Sequence, residues 1–253
     1  LDTSNNDWEN IVPYLSAIEL VLTSTYLTDD IDDKQEERFG DKATWKKYGL
    51  NEAIFAAFRQ REIAERIIID KQDTSLENKV KILSLISDIN RETYDGQTLN
   101  SKLIGNYDHE IYLERCKYFG GVLGGYVGIG AAILANAEED TLNLVKDVVM
   151  NWGTAGMIRN DLKDYITSDL LNSDLQASKA LKRIPLEDFR MGRITYPLHI
   201  ALNSKYGERL GKLLGKRKLN SAEEKEVVSM VANSGALDKT IELIEGYKQK
   251  ALG

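Results

Sequence analysis

The chain has 253 residues, with 33 lysines and arginines against 40 aspartates and glutamates, so its formal net charge at pH 7 is −7. A chain of this length can bury a large core, and an acidic chain with no basic stripe is not expected to bind nucleic acid. The lone cysteine, Cys116, excludes an intramolecular disulfide framework and predicts a protein of the reducing cytoplasm.

Apolar residues recur at spacings of three and four along most of the chain, and this periodicity predicts an all-α protein. We expect one helical domain over residues 1–253. Because no signal-peptide pattern follows Leu1, we expect the native N-terminus to lie upstream of it. The predicted helices are 11–35, 51–70, 76–94, 110–136, 138–165, 196–214 and 221–250. The connections predict a helix N-cap at 73–75, a turn at 105–108 and a polar loop at 168–178.

The first predicted helix ends in four carboxylates within five positions, Asp29, Asp30, Asp32 and Asp33. On a helix, Asp29 and Asp33 share a face and Asp30 lies beside them, so their repulsion destabilises the helix unless a cation relieves it. Mg²⁺ suits such a site, because it prefers carboxylate oxygens and completes its shell with waters and phosphate oxygens. A solvated acidic helix end is the alternative.

The most apolar stretch, residues 120–137, has six glycines in its first eleven positions. It is short for a membrane span and its glycines and alanines contribute little transfer free energy, so a buried central helix is predicted. Its small residues would let helices approach closely or would leave open volume for a long apolar ligand. Composition leaves both alternatives open.

A second acidic cluster, Asn160-Asp161-Leu162-Lys163-Asp164, repeats the spacing of the first after another run of small and apolar residues. If the two clusters lie on facing helices, they are expected to hold several metal ions and, with them, a diphosphate.

These residues resemble the trans-isoprenyl diphosphate synthase family, whose two motifs read Asp-Asp-x-x-Asp. Asp29, Asp30 and Asp33 match the first motif in full. The second is matched by Asp161 and Asp164, with Asn160 in place of the leading Asp. Further matches follow in order: Arg38-Phe39-Gly40, Lys47-Tyr48-Gly49, Gly96-Gln97, residues 188–197 and residues 234–237. The resemblance covers nearly the whole chain and implies a helical bundle of the isoprenoid synthase type with a central active-site cavity.

The resemblance implies a prenyltransferase that ionises an allylic diphosphate and condenses it with isopentenyl diphosphate, giving an isoprenyl diphosphate of geranylgeranyl length or longer. The implied metal ligands, for three Mg²⁺ ions, are Asp29, Asp33, Asn160, Asp161 and Asp164. The implied catalytic residues are Asp29, Asp30, Asp33, Asp161 and Arg38. The implied substrate-binding residues are Arg38, Gln97, Lys117, Arg183, Arg193, Ser24 and Thr25. We also expect a cytoplasmic homodimer with no transmembrane segment.

Product length is implied by Ser24 and Thr25, which stand five and four positions before Asp29 on the helix face that lines the family's tunnel for the growing chain. Short-chain members of the family close the tunnel with an aromatic residue there, and neither residue is aromatic. We therefore expect an open tunnel, unless Phe55 or Phe58 closes it from a neighbouring helix.

Three positions depart from the family pattern. Phe39 replaces the second Arg of a pair, and Asn100 stands where the family usually has Asp. Tyr118-Phe119 occupies the place of a Lys-Thr dipeptide, with Lys117 as the substitute cation. Residues 1–10 also lack the family's Gly-Lys-x-Arg segment. The allylic half of the site is therefore expected to be intact and the acceptor half to be altered.

Other functions remain compatible with the sequence. The prenyl group could pass to another acceptor, such as a peptide or a small metabolite, on the same fold. A non-catalytic subunit that regulates a prenyl synthase is a further alternative, although such a subunit has no need of the complete first motif. A terpene cyclase ranks lowest, because its second motif differs at Asp164 and Ser168.

Overall fold

The computed structural model of the protein describes residues 8–38, 40–72, 74–166 and 186–253. Within these ranges there are twelve α-helices and one short hairpin, so the predicted all-α class is confirmed. The hairpin pairs two antiparallel strands, β1 (Glu37–Arg38) and β2 (Asp41–Lys42).

The α-helices are, in chain order, α1 (Trp8–Asp32), α2 (Thr44–Tyr48), α3 (Leu50–Asp70), α4 (Leu76–Lys102), α5 (His109–Cys116), α6 (Leu123–Leu134), α7 (Glu139–Leu162), α8 (Glu187–Met191), α9 (Tyr196–Leu202), α10 (Gly207–Leu213), α11 (Ser221–Ala232) and α12 (Ala236–Leu252). A π-helical segment, Lys117–Val122, separates α5 from α6, and a 3₁₀ turn, Lys163–Tyr165, follows α7.

Several predicted helices are divided. The helix predicted over 110–136 is interrupted by the π-helical segment. That predicted over 196–214 breaks near Ser204, whose hydroxyl donates to the Ala201 carbonyl and accepts from the Tyr206 N–H. Such side-chain bonds compete with the helical pattern. The helix predicted over 221–250 breaks at Gly235, where φ is 77°, a left-handed conformation that glycine adopts readily.

The predicted connections agree with the structure where it describes them. Asp108 caps α5 by accepting a hydrogen bond from the Ile111 N–H, which ends the turn at 105–108. Ser75 accepts from the Asn78 N–H at the start of α4. Asp73 and the polar loop at 168–178 lie outside the described residues.

The chain divides into two compact units, one of Leu1–Thr93 and Leu123–Lys146 and the other of Tyr94–Val122 and Asp147–Gly253. In the first unit α1 packs along α3, whose buried residues recur every three or four positions: Ala53, Ala57, Arg61, Ala64 and Ile68. Tyr14 of α1 donates its hydroxyl to the Tyr126 carbonyl at 3.0 Å, in space that a side chain at Gly130 would fill. The lack of a side chain at Gly130 thus allows α1 and α6 to approach closely.

The second unit contains two apolar clusters. One includes Phe189 of α8, Leu198 of α9 and Val227 of α11. The other includes Tyr112 of α5 and Ile158 of α7, which are joined by Ile244 of α12. These clusters bury the end of α7, where the second acidic motif lies, and they fix the backbone that carries it.

By length and composition alone, one described helix, Ile11–Asp32 within α1, is apolar enough to cross a membrane. The pair His109–Val122 and Gly124–Leu134 would pass the same test if it formed one broken span. Core helices of globular proteins pass this test as well, so these segments are weak evidence for a membrane span.

Candidate functional site

The first acidic motif lies at the carboxyl end of α1. Lys34 adopts a left-handed conformation with φ 57°, and the Gln35 N–H donates to the Asp30 carbonyl at 2.8 Å. The Lys34 N–H donates to the Ile31 carbonyl, which completes a Schellman-type helix end. The motif therefore places its carboxylates at the negative end of the helix dipole, where a nearby cation is stabilising.

Arg38, in the hairpin, places a cation beside these carboxylates. Arg38 of β1 donates from Nε to Asp30 Oδ1 at 2.7 Å and from Nη2 to Asp29 Oδ2 at 2.9 Å. Burial raises the pKa of Asp30, while the hydrogen bond and charge of Arg38 act to lower it. Burial also acts to lower the pKa of Arg38, but Asp30 and Asp29 outweigh this effect and raise it. Arg38 thus stays charged and joins two motif residues.

The three motif carboxylates differ in exposure. The Asp30 side chain is only 3 % exposed, whereas that of Asp29 is 30 % exposed and Asp33 is half-buried. The Asp33 N–H donates to the Asp29 carbonyl at 2.9 Å, so the two residues keep their helical spacing across the end of α1. Asp29 and Asp33 are therefore the pair that an ion from solvent can reach.

The second motif lies at the end of α7 and in the following 3₁₀ turn. Asn160 is half-buried, whereas Asp161 and Asp164 are buried. Asp161 Oδ2 accepts from Arg115 Nη1 at 2.8 Å and from the Tyr112 hydroxyl at 2.9 Å. Asp164 Oδ2 accepts from the Asp188 N–H at 3.0 Å. These contacts hold both carboxylates within the second unit.

The cations that the sequence indicated have different environments. Arg193 is buried and forms an ion pair with Asp188, with Nη1 2.6 Å from Oδ1. Lys117 is exposed at the start of the π-helical segment. Arg183 lies outside the described residues, as does Phe39.

The Gly-Gln signature lies on α4. A Cβ atom at Gly96 would lie 3.1 Å from Tyr118 Cβ, which accounts for the glycine, and Gln97 is half-buried. Asn100, one turn further on, is buried, and its Oδ1 accepts from Arg115 Nε at 3.0 Å.

The residues expected to set product length lie in the core of the first unit. Ser24 and Thr25 are buried, and Ser24 Oγ accepts from Arg61 Nε at 2.8 Å. Burial lowers the pKa of Arg61. Phe55 and Phe58 are 68 % and 54 % exposed, so neither side chain closes a tunnel in the interior of this unit.

Sequence reasoning missed Arg115 and Tyr112, which donate to the second motif, and it included Asp188 only as part of the matched segment 188–197. An arginine on a helix is normally an exposed charge, so Arg115 gave no signal by itself. Its position in the sequence was the available signal. Arg115 follows Tyr112 by three residues and adjoins Cys116, so it lies on the helix face of these two residues, and both are buried in the structure. A charge on an apolar face indicates a buried partner.

The first motif fits a hard divalent cation, because Asp29 and Asp33 offer solvent-accessible carboxylates at adjacent turns. Among the described residues, no group of three or more His, Cys, Asp or Glu side chains is arranged to hold a metal ion. Two carboxylates are nevertheless sufficient for Mg²⁺, since waters and phosphate oxygens commonly complete its octahedron.

Comparison with known proteins assigns the family. The sequence model of the polyprenyl synthetase family matches residues 1–231. The chain is an all-α protein of the prenyltransferase class, and it belongs to the polyprenyl synthetase family. This confirms the resemblance seen in the sequence.

Two relatives illustrate the similarity. A short chain isoprenyl diphosphate synthase of Methanocaldococcus jannaschii is 27 % identical over 234 residues, which cover 90 % of this chain and 68 % of that protein. A geranylfarnesyl diphosphate synthase of Aeropyrum pernix is 24 % identical over 244 residues, 95 % of this chain and 74 % of that protein.

Solved structures show the same fold. A geranylgeranyl pyrophosphate synthase has a TM-score of 0.82 at 22 % identity, with 96 % of this chain and 74 % of that chain covered. A polyprenyl synthase of Caulobacter crescentus, complexed with calcium and isoprenyl diphosphate, has a TM-score of 0.80 at 22 % identity, covering 94 % of this chain and 70 % of that chain.

Proposed function

We propose that this protein is a Mg²⁺-dependent trans-prenyltransferase that ionises an allylic diphosphate and joins the prenyl group to isopentenyl diphosphate. The observation that carries the proposal is the complete first motif: Asp29 and Asp33 are accessible at the negative end of α1, and Arg38 binds two of its carboxylates. The names of the relatives, which include isoprenyl, geranylfarnesyl and geranylgeranyl diphosphate synthases, support the same reaction.

The proposed ligands of three Mg²⁺ ions are Asp29, Asp33, Asn160, Asp161 and Asp164. When bound, Mg²⁺ would supply Lewis-acid stabilisation of the charge that develops on the diphosphate leaving group. Asp29 and Asp33 offer hard oxygen ligands, and Asp30 holds Arg38 in place. Arg38 is one-quarter exposed, so its guanidinium is accessible to phosphate oxygens, for which its planar fork is suited.

For the prenyl product we propose geranylgeranyl length or longer. Ser24 and Thr25 are small, and the exposed side chains of Phe55 and Phe58 do not obstruct the core around them. Replacing Ser24 by Phe is expected to shorten the product by at least one isoprene unit, as read by mass spectrometry.

The proposal is tested by incubating the purified protein with Mg²⁺, labelled isopentenyl diphosphate and a panel of allylic diphosphates, and by identifying the products. The Asp29→Ala variant is expected to lose about a hundredfold or more in turnover, because charge stabilisation at a leaving group is usually worth that much. Asp32→Ala is the matched control, since Asp32 is an exposed carboxylate in the same cluster but outside the motif. Circular dichroism checks that both variants remain folded.

Full activity of Asp29→Ala in the presence of a chelator would contradict metal-dependent ionisation. Consumption of the allylic diphosphate without incorporation of labelled isopentenyl diphosphate would instead favour the alternative, prenyl transfer to another acceptor. The features that keep this alternative open are Phe39 in place of the second Arg and Tyr118-Phe119 in place of the Lys-Thr dipeptide.

A further inference from the structure

A buried polar cluster in the second unit surrounds Arg115. The side chain of Arg115 is 3 % exposed and that of its ion-pair partner Asp161 is fully buried. Arg115 Nη1 and the Tyr112 hydroxyl both donate to the same oxygen, Asp161 Oδ2. On its other edge Arg115 donates from Nε to Asn100 Oδ1 at 3.0 Å. The guanidinium is thus held at two of its nitrogens, and the Asp161 carboxylate is held by two donors.

Two departures from the family pattern meet at this side chain. The place of the Lys-Thr dipeptide carries no cation, because Tyr118-Phe119 occupies it, and Lys117 is exposed. Arg115, one helical turn before Phe119, forms an ion pair with Asp161 of the second motif, and its guanidinium carbon lies 5.6 Å from the centre of the Phe119 ring. The second departure is Asn100, which binds Arg115 directly.

The chemistry of Asn100 explains the second departure. A carboxylate at position 100 would attract the Arg115 guanidinium and would compete with Asp161 for it. The neutral amide accepts one hydrogen bond and adds no charge, so the full charge of Arg115 is directed to Asp161.

We propose that Arg115 is a positioning residue for the second acidic motif and that Asn100 directs it to Asp161. This inference rests on the proposed function. Arg115 acts through Asp161: by holding Oδ2, it would fix the orientation in which the carboxylate is offered to Mg²⁺. Partners of this kind commonly set ligand orientation, and their loss weakens metal sites roughly 10- to 100-fold.

Asn100→Asp is the decisive variant, because it keeps Arg115 and Asp161 and adds only a competing carboxylate. The measurement is the increase in Tm on adding Mg²⁺ with inorganic pyrophosphate, together with the Mg²⁺ concentration that gives half-maximal turnover. We expect the ligand-free Asn100→Asp protein to remain folded, the Tm increase to shrink, and the half-activating Mg²⁺ concentration to rise about tenfold. The KM for isopentenyl diphosphate should change little.

Substitutions of Arg115 itself test the same proposal. Arg115→Met should lower the ligand-free Tm, because it leaves Asp161 buried without its cation. The double variant Arg115→Met/Asp161→Asn should recover Tm but not the response to Mg²⁺ and pyrophosphate. Arg115→Lys should retain part of that response. Arg209→Met is the matched control, since it removes a guanidinium that forms two bonds to Glu226 on the exposed surface of the same unit.

The outcomes separate the two proposals. If the unaltered protein gains no Tm from Mg²⁺ and pyrophosphate and transfers no prenyl group, the proposed function fails. If it responds, and Asn100→Asp and Arg115→Lys respond to the same extent at unchanged Mg²⁺ requirement, the positioning role is overturned. A reduced response in these two variants, with Arg209→Met unchanged, supports it.

Discussion

Both histidines of the chain contact one tyrosine in the second unit. The Tyr107 hydroxyl and His109 Nδ1 are 2.8 Å apart, and the His199 ring stacks on the Tyr107 ring with centroids 3.9 Å apart. Burial lowers the pKa of His199, and the charge of His109 lowers it further. The folded protein therefore binds a proton at His199 less readily than the unfolded chain does.

The pH dependence of stability follows from this difference. A base whose pKa is lowered by folding contributes stability that is present above its unfolded pKa of about 6.5 and is lost as pH falls through its folded pKa. We expect the urea midpoint of the unaltered protein to fall more between pH 7.5 and 5.5 than that of His199→Gln, which cannot take up the proton. Identical decreases in the two proteins would show that His199 does not couple folding to pH.

At the residue scale, the sequence located the proposed metal ligands better than it located their partners. Asp29 and Asp33 were identifiable because four carboxylates at a helix end oppose helix stability and need an explanation. Arg38 was indicated by the family pattern, but its bonds to Asp29 and Asp30 depend on a hairpin of two-residue strands, which has no periodic signature. Arg115 was missed because burial of a charge depends on tertiary contacts.

A close contact between two helical segments organises the second unit. Gly120, in the π-helical segment, and Gly153, in α7, meet so closely that a Cβ atom on either would clash with the carbonyl oxygen of the other. The π-helical segment carries the chain from the Arg115 helix, and α7 ends in the second motif. Their contact therefore fixes the spacing of the two segments that supply Arg115 and Asp161.

Replacing two glycines of α7 by alanine should change the free energy of unfolding in opposite directions. Gly153→Ala should destabilise the protein by about 1–3 kcal/mol, because overpacking at a backbone contact forces the two segments apart. Gly156→Ala, three residues later on the same helix, should stabilise it by up to about 1 kcal/mol, since a Cβ there meets nothing within 4 Å and alanine favours helix. Urea unfolding measures both. Equal effects of the same sign would contradict the contact.

At the element scale, periodicity predicted where helices lie but not where they break. Apolar and small residues continue through the π-helical segment within residues 110–136, so the sequence pattern did not mark the change in hydrogen bonding there. Gly235 interrupts the last predicted helix by adopting a left-handed conformation. Because helices often contain a glycine, the sequence alone did not identify this one as a break.

At the scale of the whole molecule, two of the three boundaries between the compact units fall inside α-helices. The first boundary, at residues 93 and 94, lies within α4, and another, at 146 and 147, lies within α7. Separating a helix at such a point would leave backbone donors and acceptors without partners, so order on one side favours order on the other.

We therefore expect cooperative unfolding, in keeping with the single domain predicted from the sequence. Differential scanning calorimetry should show one transition with a calorimetric enthalpy close to the van't Hoff enthalpy. Two resolved transitions would mean that the units unfold separately. Light scattering on the same sample would test the homodimer, which stays a prediction.

Fold class and family could be predicted for the whole molecule because they depend on patterns spread over many residues. Individual substitutions such as Asn160 and Asn100 barely affect those patterns. A change of one charge at a buried position such as Asn100 nevertheless alters what a buried cluster can bind. The sequence therefore predicted the class of chemistry, and the structure was needed to show how this chain arranges its charges.

The burial of Cys116 has a practical consequence. It is the only cysteine of the chain, it adjoins Arg115, and burial together with the charge of Asp161 raises the pKa of its thiol to about 12. Because the thiolate is the nucleophile that attacks a maleimide, the reagent should modify the native protein only when this region opens. The labelling rate thus measures how often the region beside the second motif opens. A ligand that stabilises the motif in its folded conformation should slow the labelling, and no cysteine has to be engineered into the chain.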